Sequence, residues 1–275
     1  MVYIIQRGDS LSKVAKQHQL SLMQILAANP RYKSNPNQIS VGDRVTIPGS
    51  GSDNSDSTEL VEELNPVDVN DDPFTVPCGQ LTFDAEGLEQ PGRYFSRTPH
   101  VPGAWSGVTI GRGYDLKLRS ENEICTDLSR AGVAADMASQ LAACCGLKGA
   151  KARDFIAAHG VEAITITPQQ QKQLFIQTYQ ELEGDVIRIC TKLDVEHKYG
   201  RTEWDTLDQA IRDTVVDLRY RGDYTAATRQ RIQPIIVAND LAQLKLLMAD
   251  RQYWVERMGV PVNRFNRRNR FLKSV

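Results

Sequence analysis

Residues 106–115 read SGVTIGRGYD, and this stretch decides which fold class the larger part of the chain can adopt. Val108 and Ile110 flank Thr109, an alternation typical of a short strand. Three glycines surround these residues and allow a tight turn through which the chain can return. The stretch therefore predicts a small β-hairpin.

The sequence around this hairpin, residues 73–275, is mainly helical in pattern. Residues 167–170 read TPQQ, with Thr as an N-cap, Pro at the first helical position and Gln where a capping box requires it. Apolar residues recur at helical spacing over 174–182 and over 211–218. We expect a mainly α unit with one small β-hairpin region.

The first 49 residues predict a smaller unit with the order strand, helix, helix, strand. Asp9 or Ser10 can cap the first helix, and Pro30 after Asn29 cannot continue the second. The four elements are expected at residues 2–5, 11–15, 22–26 and 44–47.

A flexible acidic linker is expected at residues 50–72, because its Gly, Ser and Asp residues cannot bury enough apolar surface to order themselves. The fold class is therefore α+β, with a βααβ domain at 1–49 and a mainly α domain at 73–275. Such a linker would let the second domain act near the place where the first domain is bound.

Composition excludes several classes of function. The net charge of −1 provides no overall attraction to nucleic acid, and no apolar window is long enough for membrane insertion. The five cysteines contain no CxxC and the four histidines are scattered, so we expect buried free thiols, no metal and no cofactor. The N-terminus has no basic region or apolar run typical of a signal peptide.

Glu86 is the first candidate for chemistry. Residues 83–87 read FDAEG, which predicts a helix that ends at Glu86 with Gly87 in the left-handed conformation beyond it. Carbonyls at a helix end carry partial negative charge, which favours the protonated carboxyl that a glycosidase uses as its acid. Thr109 and Asp115 are the nearest polar candidates to hold a water. A Glu before Gly is more commonly a plain helix end, and an Asp in a Gly-rich turn is more commonly a turn former.

The N-terminal residues resemble a LysM domain. The matching segments are YIIQRGDSL at 3–11, the stretch 26–30, ISVGD at 39–43 and IP at 47–48. The resemblance implies binding to glycans of peptidoglycan and chitin that contain N-acetylglucosamine. It places the contacts after the first strand and before the last, here Gly8, Asp9, Ser10 and Asn29 to about Tyr32.

The second domain resembles the T4-lysozyme-like muramidases, and most closely their pesticin C-terminal-like branch. The resemblance rests on Glu86-Gly87, on the TIGRG run at 109–113, on Asp115, on the TPQQ helix start and on residues 211–224. It implies cleavage of the β-1,4 bond between N-acetylmuramic acid and N-acetylglucosamine, with inversion.

By this resemblance Glu86 is the general acid, and Asp115 with Thr109 positions the nucleophilic water. Phage lysozymes carry an Asp between the Glu and the Thr, whereas this interval holds Glu89 and no Asp. The departure favours the pesticin-like branch. Trp105, Tyr114 and Tyr224 are candidates to stack on sugars, although aromatic side chains are more often core residues, and Arg219 is a further candidate glycan contact.

The basic segment NRFNRRNR at 263–270 has two interpretations. It is the solvated face of a last helix whose Phe265 packs inward, or one of its arginines pairs with Glu86 or lines the glycan groove.

Three functions remain open: a hydrolytic muramidase, a wall-binding protein without activity, and a lytic transglycosylase, which needs an acid but no water-holding carboxylate. Without an export signal, we expect synthesis in the cytoplasm and delivery to the periplasm or wall of a target cell. An injected effector implies a secretion-apparatus carrier and an immunity protein; the alternative is a phage endolysin of the same chemistry.

Overall fold

The computed structural model describes residues 2–6, 9–18, 20, 25, 26, 28, 29, 32, 42–48 and 72–275. The chain divides into two compact units, Met1–Val67 and Asp68–Val275. The expected linker at 50–72 lies outside the described residues except for Asp72.

The first unit contains an antiparallel pair of strands, β1 (Val2–Ile4) and β2 (Arg44–Thr46), in which Tyr3 lies opposite Val45. Helix α1 spans Leu11–Gln17. Ser10 is its N-cap, since its hydroxyl accepts from the Lys13 amide at 3.2 Å. The second helix expected at 22–26 falls largely on residues outside the described part.

The core of this unit is small and apolar. Its buried side chains come from α1 and from the segments before and after that helix, and they are Ile5, Leu11, Val14, Ala15, Ile25, Tyr32, Val45 and Ile47. Burial alternates along the last strand, because successive side chains of a strand point to opposite faces.

The second unit is mainly helical, and the α+β class is confirmed. Its helices are α2 (Gln80–Glu86), α3 (Glu121–Arg130), α4 (Ala135–Ala142), α5 (Gly149–Ala158), α6 (Pro168–Cys190), α7 (Leu193–Tyr199), α8 (Gln209–Arg221), α9 (Ala226–Ala238), α10 (Leu241–Ala249) and α11 (Val262–Ser274). A π-helical turn, Gln252–Arg257, precedes α11, and 3-10 turns occur at Leu116–Leu118, Val161–Ala163 and Trp204–Thr206.

The expected hairpin is present as β3 (Thr109–Ile110) and β4 (Tyr114–Asp115), paired antiparallel with Thr109 opposite Asp115. The expected capping box of α6 is present too. The Thr167 hydroxyl accepts from the Gln170 amide, and the Gln170 side chain accepts from the Thr167 amide.

Two hydrophobic cores lie on opposite sides of α6. The hairpin and α3 to α5 form one core, which includes Leu174 of α6. Helices α2 and α8 to α11 form the other, which includes Phe175 of α6. The end of α2 meets the hairpin between the two cores, and this junction positions the candidate site.

The cysteines are free, as far as the described residues show. Cys144 and Cys190 are buried, and burial raises the pKa of the Cys144 thiol to about 11. The expectation of buried thiols is wrong for Cys78, which is exposed. Among the described helices, none has the length and apolar character required to cross a membrane.

Candidate active site

Glu86 is the last residue of α2, as the sequence predicts, and its side chain is 24% exposed. Gly87 does not adopt the left-handed conformation that was expected, since its φ is −110° and its ψ is 140°. Glycine is required there for a different reason. A Cβ at this position would overlap the guanidinium of Arg112, which lies against the Gly87 backbone.

Arg264 of α11 forms an ion pair with Glu86, with 2.7 Å between Nη1 and Oε1. This result confirms the hypothesis that an arginine of the C-terminal segment pairs with Glu86. The apolar residues Phe265 and Leu272 of the same helix are buried, so the helix also packs inward.

A buried charge network lies behind this pair. Asp217 of α8 is 0% exposed and accepts from Arg264 Nη2 at 2.5 Å, from Arg268 Nε at 2.7 Å and from the Thr82 hydroxyl at 3.0 Å. Arg268 continues to Asp223 at 2.8 Å. The network therefore joins α2, α8 and α11.

Neighbouring carboxylates keep Arg264 protonated. Burial alone lowers the pKa of an arginine, but the negative charges of Asp217 and Glu86 raise the pKa of Arg264 above its ordinary value. Arg264 thus places a permanent positive charge beside Glu86, at a buried position where an unpaired cation would destabilise the fold.

Arg112, at the tip of the hairpin, attaches the hairpin to the end of α2. Its Nη1 donates to the Phe83 carbonyl at 2.5 Å, its Nη2 donates to Glu89 at 2.8 Å, and its guanidinium lies 3.7 Å from the Phe83 ring centroid. Burial lowers the pKa of Arg112, and the charge of Glu89 opposes that effect. Glu89 also accepts from Gln171 at 2.6 Å and from Arg97 at 3.2 Å, so its carboxylate serves as an anchor.

Tyr220 of α8 holds the hairpin tip from the other side. Its hydroxyl donates to the Arg112 carbonyl at 2.5 Å, and a Cβ at Gly113 would lie 2.7 Å from its ring. Burial, followed by the negative charge of Glu86, raises the pKa of Tyr220. The hairpin tip is therefore held between α2 and α8, and Glu86 lies near enough to Tyr220 to affect its pKa.

Thr109 and Asp115 face each other across the base of the hairpin. Thr109 is buried, and within residues 72–275 its hydroxyl makes no hydrogen bond. Asp115 is 35% exposed and accepts from the Lys117 amide at 2.8 Å and from the Gly107 amide at 3.3 Å. No hydrogen bond or ion pair in the same described range joins Asp115 to Glu86.

Two expected glycan contacts require correction. The Tyr114 ring is 1% exposed, and its hydroxyl donates to Asp127 at 2.8 Å. Tyr224 is 4% exposed and donates to Gln233 at 2.6 Å. Because both rings lie in the interior, neither offers a face to a sugar; both contribute to packing and to buried hydrogen bonds.

Arg219 is partly exposed at the end of α8, where its Nε donates to Asp185 of α6 at 2.5 Å. This ion pair links two helices. A contact between Arg219 and a glycan stays a prediction.

In the N-terminal unit, the expected contact residues have structural partners. The Asp9 carboxylate accepts from the Tyr3 hydroxyl at 2.9 Å and from the Gln6 amide at 2.8 Å, which closes the turn after β1. Asn29 is buried, and its amide exchanges two hydrogen bonds of 2.7 Å with the Thr46 backbone. Its side chain therefore holds β2 rather than a ligand, and Gly8 lies outside the described residues.

Sequence reasoning missed the residues that support Glu86, namely Arg112, Asp217 and Arg268. A signal existed for Arg112, because an arginine between two glycines at a hairpin tip has no partner within so short a turn. Asp217 gave a weaker signal, as an acidic residue within the otherwise apolar run TVVDL at 214–218.

Known proteins resemble the two units separately. Residues 3–48 match the LysM domain, and residues 79–269 match a family described as a domain of unknown function, DUF8812. An endolysin of Bacillus phage PZA is 41% identical over 49 residues, which are 18% of this chain and 19% of that protein. An endolysin of Bacillus phage B103 is 42% identical over 48 residues, 18% of each chain.

These stretches correspond to the LysM region, so the chain spans less than a fifth of the length of the endolysins it matches. The LysM domain points to a protein that binds the cell wall. The DUF8812 match begins at α2 and ends within α11, the two helices that the Glu86–Arg264 pair connects. The chain thus carries an N-terminal LysM domain and belongs, through residues 79–269, to the family of the domain of unknown function DUF8812.

Proposed function

We propose that the second unit is a muramidase that hydrolyses the β-1,4 bond between N-acetylmuramic acid and N-acetylglucosamine. The observation that carries the proposal is the setting of Glu86. It is a partly exposed carboxyl group at a helix end, held by the buried Arg264 and adjoining the hairpin tip that Arg112 fastens to α2. The LysM domain supports the same substrate, because it brings the chain to peptidoglycan glycans.

In this mechanism Glu86 delivers a proton to the glycosidic oxygen as the bond to the leaving sugar breaks. Arg264 fixes one carboxylate oxygen, which leaves the other to face the substrate. The orientation of Glu86 is thus set by the buried network before the glycan arrives, and such preorganisation lowers the cost of reaching the transition state.

The attacking water needs a second group. The Thr109 hydroxyl has no partner within residues 72–275, and each Asp115 oxygen accepts one backbone hydrogen bond. An ionised carboxylate has about four acceptor positions, so Asp115 keeps capacity for a water on its exposed side. We assign these two residues to hold and deprotonate that water.

The contacts of Asp115 also favour a second candidate, a lytic transglycosylase. One of its oxygens accepts from the Lys117 amide of the turn that it begins, and the other accepts from the Gly107 amide just before β3, as in an Asp whose role is to cap a turn. If Asp115 only caps, Glu86 protonates the leaving oxygen, and the C6 hydroxyl of N-acetylmuramic acid attacks its own anomeric carbon in place of water. The proton of that hydroxyl then passes to the Glu86 carboxylate.

The test is digestion of purified peptidoglycan by the full chain and by Glu86→Gln, with mass spectrometry of the fragments. We expect reducing muropeptides from the wild type and a loss of at least roughly 100-fold in the variant, the usual effect of removing a general acid. Glu162→Gln is the matched control, since Glu162 is an exposed carboxylate in a 3-10 turn.

Each other result selects a different function. Fragments ending in a 1,6-anhydro ring select the lytic transglycosylase. Equal digestion by Glu86→Gln and by the wild type removes Glu86 from the mechanism. No fragments from any variant leaves a wall-binding protein without catalytic activity.

For the biological setting, we favour an antibacterial effector that is made in the cytoplasm and injected into the periplasm of a target cell. The endolysin names of the two phage relatives concern the LysM stretch and leave the alternative of a phage endolysin open. Periplasmic expression in a Gram-negative host should cause lysis that Glu86→Gln abolishes. Rescue by a neighbouring gene product would identify the immunity protein, whereas neighbouring genes for a holin and a spanin contradict the effector proposal.

A further inference from the structure

Trp105 is the one tryptophan of the second unit that faces solvent. Its side chain is 79% exposed, whereas Trp204 is 7% and Trp254 1% exposed. A single exposed apolar residue is ordinary on a protein surface and indicates no site by itself. The surroundings of Trp105 are what distinguish it.

The loop that carries Trp105 is held in place. The Gly149 amide donates to the Ser106 carbonyl at 3.0 Å, which fastens the loop to the start of α5. Gly149 has φ +57°, and a Cβ there would overlap the Ala104 carbonyl, so the loop and the helix are in close contact. The indole is therefore presented on a fixed backbone, which reduces the entropy lost when a ligand binds.

Two ammonium groups lie near Trp105, one at its ring and one at its main-chain carbonyl. Lys148 Nζ lies 5.8 Å from the Trp105 ring centroid, and Lys117 Nζ donates to the Trp105 carbonyl at 2.9 Å. Lys117 Nζ is also 3.9 Å from Asp115, which pairs with Thr109 across the hairpin. The exposed indole is thus connected, through one side chain, to the water-binding residues of the proposed muramidase.

We infer that Trp105, Lys117 and Lys148 form a glycan subsite that stacks a sugar ring on the indole and pairs with a carboxylate carried on or near that ring. A flat aromatic face suits the apolar face of a pyranose, and two ammonium groups suit an anionic substituent. In peptidoglycan, the peptide stem attached to N-acetylmuramic acid supplies such carboxylates, and chitin has none. The inference rests on the proposed function for its substrate class.

Tryptophan emission provides a binding measurement that does not depend on catalysis. All three tryptophans belong to the second unit, and two are buried, so a ligand that covers Trp105 dominates any change in emission. The LysM unit contains no tryptophan and adds nothing to the signal. The full chain, as Glu86→Gln to prevent turnover, would be titrated with soluble muropeptide oligomers and with chitooligosaccharides.

We expect a saturable change with muropeptides and weaker binding to chitooligosaccharides. Trp105→Phe, in the Glu86→Gln background, should remove the emission change. Lys148→Gln should weaken binding of muropeptides about two- to fivefold and leave chitooligosaccharides unchanged. Leu118→Ala is the matched control, because Leu118 is an exposed apolar residue beside Lys117.

Unchanged emission on addition of muropeptides, or an emission change that persists in Trp105→Phe, overturns the subsite. Equal loss for both ligands in Lys148→Gln overturns the carboxylate pairing. These outcomes are separate from a failure of the proposed function, since an inactive protein that still shows the emission change retains the subsite. Normal digestion with no emission change retains the muramidase alone.

Discussion

Replacing Asp217 with Asn tests the buried network that supports Glu86. Asp217 is completely buried and accepts hydrogen bonds from Thr82, Arg264 and Arg268. Asn has nearly the same shape but no charge, and its amide nitrogen cannot accept from an arginine. The substitution therefore leaves two buried guanidinium groups without the carboxylate that they share.

The structure sets the expected magnitude. Removing one partner of a buried ion pair costs about 3–5 kcal/mol. Here Arg264 keeps Glu86 and Arg268 keeps Asp223, so neither cation is left alone, and we expect the lower end, about 3 kcal/mol. For a unit of this size, each kcal/mol shifts Tm by about 2–4 °C, which gives a decrease of roughly 6–12 °C.

The assay is thermal unfolding of the full chain followed by tryptophan emission, which reports the second unit alone. Asp213→Asn is the matched control, because Asp213 is buried on the same helix and accepts from the neutral groups of Tyr179 and Gln209. Its cost should be about 1 kcal/mol. Equal Tm decreases for the two variants would refute the argument that the charge network stabilises this unit.

Asp217→Asn should also slow peptidoglycan digestion, with a larger effect on kcat than on KM. Arg264 loses its buried anchor and orients Glu86 less well, and a small misplacement of a catalytic group costs roughly 10–100-fold in rate. A rate equal to that of Asp213→Asn would show that Asp217 has a structural role without influence on Glu86.

Two further predictions concern the hairpin and the surface ion pairs. Gly87→Ala should cost about 1–3 kcal/mol and most of the activity, because a Cβ displaces Arg112; Gly184→Ala, in open space within α6, should be neutral or stabilising in the same unfolding assay. Burial raises the pKa of Asp185, but hydrogen bonds from Arg188 and Arg219 lower the pKa by more, so that it lies below its ordinary value of 3.8. The ionised carboxylate therefore stabilises the folded state above pH 3.8, and this stabilisation is lost as the pH falls through the lowered pKa. Asp185→Asn should therefore cost up to about 1 kcal/mol at pH 7 in urea unfolding, with the difference from wild type shrinking at pH 3; a constant difference contradicts the assignment.

The local elements of the fold were predictable because their causes are local. The TPQQ start of α6 and the glycine-flanked hairpin depend on neighbours within a few residues, and the structure shows both. The two hydrophobic cores on opposite sides of α6 were not predictable, since the helical spacing of Leu174 and Phe175 does not say which core each residue joins.

The candidate site was predictable at Glu86 and less so around it. The end of α2 follows from Gly87, but the reason for that glycine, contact with Arg112, depends on a hairpin that lies far along the chain. The burial of Tyr114 and Tyr224 was not predictable, because aromatic side chains suit both sugars and cores. Their hydroxyl groups have buried partners that no sequence spacing reveals.

The ion pair between Glu86 and Arg264 joins positions that are 178 residues apart. A ribosome makes a chain from its N-terminus, so the proposed acid is synthesised well before its partner on α11. A nascent chain, or one truncated before α11, contains Glu86, Thr109 and Asp115 but has no completed charge network. The site is consequently completed only after α11 has been made, and chains that stop before α11 do not carry it.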